Sequence, residues 1–292
     1  MGYPSGCMRT LDAIAGNSLR HFFYFPAFSI LQVVEFRTRR QLAAFFILVC
    51  IVALFGFAAY RVVTTGATCE DRKQNQGEEG IDCGGPCVQC AIKQARPLKV
   101  FWARFVPTRD DRYDVVAEVT NSNTNVGAAA VEYEFRLLDG SGAVIVARRG
   151  NTFIYPRETV HLVEIGLEAR ERPARAVVDI SSPRWVATAA IGPDVVAGNR
   201  EYRVETSQDG SRSVVTAIIS NRSVSDRRDI GVAALLLDGR GNVVGAHRTV
   251  MDILEAGTSL PVRLVWSHVI SEPVASILIE ARSPGTFPRD TP

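Results

Sequence analysis

The chain has 292 residues, enough for two domains of ordinary size that each bury a core. Its 33 Lys and Arg against 31 Asp and Glu leave a net charge of +2, so no global field draws it to nucleic acid, and no nucleic-acid partner is expected. With 47% hydrophobic and 22% charged residues it reads as a folded protein carrying one strongly apolar segment, not as a disordered chain.

Residues 1–41 form an arm in which Arg9, Arg20, Arg37, Arg39 and Arg40 stand against only Asp12 and Glu35. Within it, HFFYFPAFSILQVVEF at 21–36 is apolar but short and interrupted by Pro26, which predicts a helix lying on a membrane surface; docking to another membrane protein is the sharper alternative. The next run, Leu42 to Tyr60, is uncharged for 19 residues. At ~1.5 Å per residue it reaches about 28 Å, the thickness of a bilayer's hydrocarbon core, and it is apolar on every face. This predicts a single transmembrane helix over 42–62. Arg37, Arg39 and Arg40 precede it, and Glu70, Asp71, Glu78, Glu79 and Asp82 follow. That bias places the arm in the cytoplasm and the remainder outside, a retained signal-anchor in the cell membrane. Cys50 follows Ile-Leu-Val, not the small pair of a lipobox.

Residues 63–95 form a cysteine-rich neck. Cys69, Cys83, Cys87 and Cys90 lie within CEDRKQNQGEEGIDCGGPCVQC. A zinc ribbon needs two compact pairs and only the second half is compact; a redox pair needs a helix N-terminus within a βαβ pattern, which nothing near Cys87 predicts. Disulfides are the reading that suits an oxidising exterior. A Cys87–Cys90 bridge closes a very small loop, so Cys69 and Cys83 are each expected to bond one of the last two, in a crossing or a nested arrangement. Ile81 and Val88 are the segment's main apolar residues, so bridges must hold its shape. Gly84, Gly85 and Pro86 turn the chain tightly between Cys83 and Cys87. Asp71, Asn75, Glu78 and Asp82 offer oxygens to calcium, with Glu79 alongside. Lys73 and Gln76 occupy positions where an acidic loop needs an acid and a glycine, which leaves a solvated charged loop as the plainer reading.

The pattern of Cys69, Asp71, Asn75, Glu78, Gly80, Asp82, Cys83, Gly84, Gly85, Cys87 and Cys90 resembles the short DCGG-type cysteine module of bacterial surface and envelope proteins. The resemblance covers about 22 residues. It implies an extracytoplasmic location and brings no enzyme activity.

From about residue 96 the pattern becomes short alternating runs. In VEYEFRLLD, Val131, Tyr133, Phe135 and Leu137 point one way and Glu132, Glu134 and Arg136 the other; Gly140 and Gly142 then turn the chain into AVIVAR, a hairpin. About one hundred residues later the same landmarks return. LLDGSGAVI at 137–145 matches LLDGRGNVV at 236–244, VVAEVTN ending at Asn121 matches VTAIISN ending at Asn221, and DISSP at 179–183 matches EARSP at 280–284. This predicts a mainly β fold with two tandem immunoglobulin-like β-sandwiches, 96–192 and 193–285, meeting near Gly192 and Pro193, and a tail at 286–292. Trp102, Tyr133, Phe135 and Ile165 are expected core members of the first, Ile218, Leu236, Leu264 and Trp266 of the second. Phe135-Arg136-Leu137-Leu138-Asp139 resembles the signature of FxLYD-type sandwich domains, with Leu138 in the tyrosine place; the second copy keeps only Leu236 and Asp238. That resemblance implies modules of prokaryotic envelope proteins.

The four histidines, His21, His161, His247 and His268, are isolated from one another in sequence, with His161 and His268 expected in or beside strands. No nucleophile elbow, phosphate loop or dinucleotide fingerprint occurs. Asp110 and Asp111 read as solvated turn residues, and the arginine clusters at 148–149, 170–175 and 227–228 as solvated loops. No catalytic residue, metal, cofactor or small-molecule substrate is expected. The chain is read as a non-enzymatic envelope scaffold or adhesion module with the membrane and a protein in the cell envelope as partners. The alternative is a subunit of a surface assembly or secretion machinery whose cytoplasmic arm engages components inside the cell.

Overall fold

The computed structural model describes residues 36–64, 68–189, 192–208, 210–284 and 287. Two compact units result, divided between Gly66 and Ala67. The expected surface helix at 21–36, Cys7 and His21 fall outside the described residues, apart from Phe36.

The first unit holds one helix, α1 (Phe36–Thr64). It begins earlier than the uncharged run because arginine is a good helix former, so Arg37, Arg39 and Arg40 continue the same helix N-terminally. Residues Thr38–Val63 are long and apolar enough to cross a membrane, and none of that stretch is buried against protein. Helix geometry pairs every interior N–H with a carbonyl, and its apolar surface is left uncovered, which distinguishes it from a core helix.

The second unit is β-rich. A short helical turn, α2 (Cys90–Lys93), closes the cysteine module. Seven strands follow: β1 (Lys99–Pro107), β2 (Arg112–Thr120), β3 (Val126–Leu138), β4 (Val144–Ile154), β5 (Thr159–Glu168), β6 (Arg175–Ile180) and β7 (Arg184–Ala187). They make two antiparallel sheets, β1-β2-β5 and β4-β3-β6, with β7 pairing the first part of the long β3. Six more strands repeat the plan: β8 (Val195–Ser207), β9 (Gly210–Asn221), β10 (Arg227–Leu237), β11 (Val243–Leu254), β12 (Ser259–Val265) and β13 (Ser276–Arg282). Their sheets are β12-β9-β8 and β11-β10-β13. The period-two pattern sends one face of each strand into a core. Tyr113, Val115, Ala117 and Val119 meet Val131, Tyr133, Phe135 and Leu137 in the first sandwich, and Val215, Ala217 and Ile219 meet Val232, Ala234 and Leu236 in the second.

Two of the three repeated sequence landmarks are structural clamps. Asn121 is fully buried; its Nδ2 donates to the carbonyls of Val126 (2.9 Å) and Tyr155 (3.0 Å), and its Oδ1 accepts the Asn123 N–H (3.0 Å). Asn221 does the same to Ser225, Leu254 and Glu255, and accepts from Ser223. In the hairpins, Asp139 accepts the N–H groups of Ser141 and Ala143, and Asp238 those of Arg240 and Asn242. Gly142 and Gly241 sit at φ +90° and +79° in these turns, where a side chain is strained. Phe135, Leu236, Leu264 and Trp266 are core residues as expected, and Tyr133 is buried with them.

Three expected core residues lie elsewhere. Ile165 shares the outward face of β5 with His161 and Val163 and is exposed; one extra residue in β5, opposite the step from Tyr113 to Val115, then returns Leu167 to the core. Ile218 alternates with the inward Ala217 and Ile219, so it faces away, half-buried. Trp102 packs not in the first core but in a second apolar layer, described next.

Candidate functional site

The two sandwiches touch face to face. Val116 of β2 and Val163 of β5 bury against Leu235 of β10 and Ala246 of β11, with Trp102, Leu237, Val243 and Leu278 packed around them. A polar fringe surrounds this layer. Arg248 of β11 donates to Glu164 (2.6 Å) and to the Val163 carbonyl (3.2 Å), and Glu164 also accepts the Tyr133 hydroxyl (2.9 Å). Burial, reinforced by the Glu164 charge, pushes the Tyr133 hydroxyl up, keeping it a donor. Arg282 of β13 pairs with Glu158 (2.9 Å) and lies 4.3 Å over the Phe153 ring. Tyr155 donates to the Ser283 carbonyl (2.9 Å). Beside the layer, a cleft of about 520 Å³ opens between the sandwiches, floored by Tyr133, His161 and Val163 and walled by Val232, Arg248 and Glu280. Three ion pairs border it, Arg248 with Glu164, Arg282 with Glu158 and His161 with Glu280, while Glu132 and Asp229 also line the cleft.

The histidines divide by location. His161 lies in the contact, its Nδ1 donating to Glu280 (2.7 Å) and its ring 5.6 Å from Trp102. His247 packs edge-on against Trp266 and is held below the usual imidazole range by burial; His268 is lowered by burial and by Arg109. These three described histidines do not gather into a metal site.

In the cysteine module, Cys69 bonds Cys87 and Cys83 bonds Cys90, the crossing arrangement. Ile81 and Val88 are exposed and Cys83 is the module's buried apolar residue, so the bridges take the place of a core. Three of these carboxylates, on Glu78, Asp82 and Asp71, hold the backbone. Glu78 Oε2 accepts the N–H groups of Asn75 and Asp82, and Asp82 Oδ1 accepts the Arg72 N–H. Asp71 accepts from Lys73 N–H, Asn75 Nδ2 and Thr68; these bonds, Asn75 first, lower its carboxyl from the ordinary range. Glu78 also approaches the sulfurs of Cys69 and Cys87, but both sulfurs are bonded to each other and carry no thiolate for a metal. Gly85 sits at φ +57° with the Gly77 carbonyl 2.4 Å from where a Cβ would stand, the reason the DCGG turn takes glycine. Arg96 and Asn123 exchange two hydrogen bonds, N–H to Oδ1 (2.8 Å) and Nδ2 to carbonyl (2.9 Å), tying the module's exit to the first sandwich.

Of the residues singled out in the sequence, the structure brings together the four cysteines and the four oxygen donors. The contact between sandwiches escaped the sequence reading. Its signal is the unbroken apolar run Val232–Leu237 in β10, which marks a strand covered on both faces.

No family model matches the chain, and no curated protein matches it. Among solved structures, red sea bream transglutaminase aligns with 65% of this chain and 30% of its own at 11% identity and a TM-score of 0.21. The N-terminal CBM22-1-CBM22-2 tandem domain from Paenibacillus barcinonensis Xyn10C aligns with 65% of this chain and 85% of its own at 10% identity and a TM-score of 0.15. The chain thus spans less than a third of the transglutaminase, and likenesses at these scores carry no functional inference.

Proposed function

We propose that this chain is a non-enzymatic, single-pass membrane protein of the cell envelope, with its N-terminus in the cytoplasm and its disulfide module and paired sandwiches on the oxidising side. In this reading it is a scaffold or adhesion module whose strands and loops contact a protein partner. The observation that carries the proposal is the crossed pair of disulfides in a segment without a hydrophobic core, following in sequence a helix long and apolar enough to cross a bilayer. Such a segment depends on its bridges, and bridges persist where thiols are kept oxidised. The arginines at 37, 39 and 40 and the acidic residues after Thr68 support the orientation. The DCGG-type and FxLYD-type resemblances agree with an envelope location.

Protease added to intact cells tests it. Digestion of the region after Gly66, with a fragment containing α1 retained in the membrane, is the expected result. Full protection in intact cells, with digestion only after lysis, contradicts the proposal.

A further inference from the structure

His161 bridges the two sandwiches. Its Nδ1 donates to Glu280 Oε1 at 2.7 Å, its backbone N–H donates to Glu280 Oε2 at 3.0 Å, and its Nε2 faces Glu118 Oε2 at 3.6 Å. Because Glu280 can only accept, the neutral ring carries its proton on Nδ1 and turns a lone pair toward the Glu118 carboxylate, an unfavourable opposition. A second proton on Nε2 reverses this, placing an imidazolium between Glu118, its neighbour in the same sandwich, and Glu280, whose bond across the contact becomes charge-assisted.

We infer that the contact between the sandwiches is a proton-operated latch centred on Glu118, His161 and Glu280, tighter in acidic than in alkaline medium. It rests on the geometry of the second unit and not on the membrane location proposed above. The charged groups around the imidazole come from every neighbouring element: Glu118 on β2, Arg104 on β1 above the Trp102 ring, Arg248 on β11, Glu280 and Arg282 on β13, and Asp229 on β10 and Glu132 on β3 at the same cleft. Arg248 is taken by Glu164 and Arg282 by Glu158. Among the described residues no Lys or Arg pairs with Glu118 or Glu280, so the imidazolium is their available cation. Glu118 is further fixed by the Trp102 Nε1–H (3.0 Å). Asp114 lies two and four residues before Val116 and Glu118 on the same face of β2, and burial raises its carboxyl to about 6, opposed only by the Gly166 N–H. It gains its proton on the same side of neutrality.

Global stability cannot read the latch, because burial depresses His247 and His268 and those groups oppose folding as pH falls. The His161 amide can, since its proton is donated across the contact to Glu280. The test is hydrogen exchange at residue 161 in the full-length protein held in lipid nanodiscs, corrected for the intrinsic pH dependence of exchange. Protection about tenfold greater at pH 5.5 than at pH 7.5 is expected for the wild type. In His161→Gln the ratio falls to about twofold or less. Glu280→Gln, which keeps an acceptor for the imidazole but removes the charge across the contact, also shrinks the ratio and carries the test if His161→Gln does not fold. Protection that is equal at the two pH values in the wild type, or a wild-type ratio that survives in Glu280→Gln and His161→Gln, overturns the inference.

Discussion

Replacing Asn121 with alanine removes the clamp that recurs one hundred residues later at Asn221. The side chain is fully buried and serves the Val126 and Tyr155 carbonyls and the Asn123 amide at 2.9 to 3.0 Å. Alanine leaves those three backbone groups without that partner. A buried polar group stripped of its partner costs about 1–3 kcal/mol, and water entering the vacated space relieves part of it, so the loss is roughly 3–6 kcal/mol. That is a large share of the roughly 5–15 kcal/mol that holds an ordinary domain together. Hydrogen exchange of β2 and β3 core amides in the full-length protein reads the loss as a fall in opening free energy. Asn121→Asp should be nearly as damaging, because it keeps the acceptor for Asn123 but sets a carboxylate against two carbonyls. Asn221→Ala should lower protection in β9 and β10 by a similar amount. A loss below about 1 kcal/mol at both positions would show that the repeated asparagines are incidental and that the landmarks have some other origin.

Three further outcomes follow from the same contacts. Asp114→Asn should stabilise the protein at pH 7 and hardly at all at pH 4: the native carboxyl is raised to about 6 from 3.8, so the folded state holds its proton longer and the wild type loses stability as pH rises between those values. The difference between variant and wild type should approach about 3 kcal/mol above pH 6, read from urea midpoints; a gap that is the same at both pH values refutes it. Ile219→Ala should cost about 2–5 kcal/mol, and Ile218→Ala clearly less, because only Ile219 is fully buried; equal urea midpoints would mean the β9 register is wrong. Cys69→Ser with Cys87→Ser should lower the module's resistance to proteolysis while the sandwich amides stay protected; unchanged proteolysis would show that the bridge does not hold the module.

What the sequence discloses follows from locality. Alternation in VEYEFRLLD assigned Val131, Tyr133, Phe135 and Leu137 to one face because period two is a property of neighbours, and the hairpin followed from Asp139 and the glycines after it. The apolar helix needed only a count of uncharged residues. Parity alone does not say which face is inward, and that ambiguity misplaced Ile165 and Ile218, each one position from a buried residue. The cysteine spacing left two pairings open, since spacing limits loop size but not which sulfurs meet. Glu118, His161 and Glu280 come from three strands, the last two 119 positions apart, so no local pattern could join them. The signal that did exist, the continuous apolar run of β10 with Leu235 facing outward, announced a covered second face without naming its cover.

The redox state of the module inside living cells bears most directly on the central claim. Cells are quenched in acid, free thiols are capped with a polymer-linked maleimide, and the mass shift of the full-length protein is compared with and without prior reduction. The account predicts that reduction adds four labelled cysteines, at 69, 83, 87 and 90. Labelling of those four without any reductant contradicts it, for an open module in the cell means a reducing compartment.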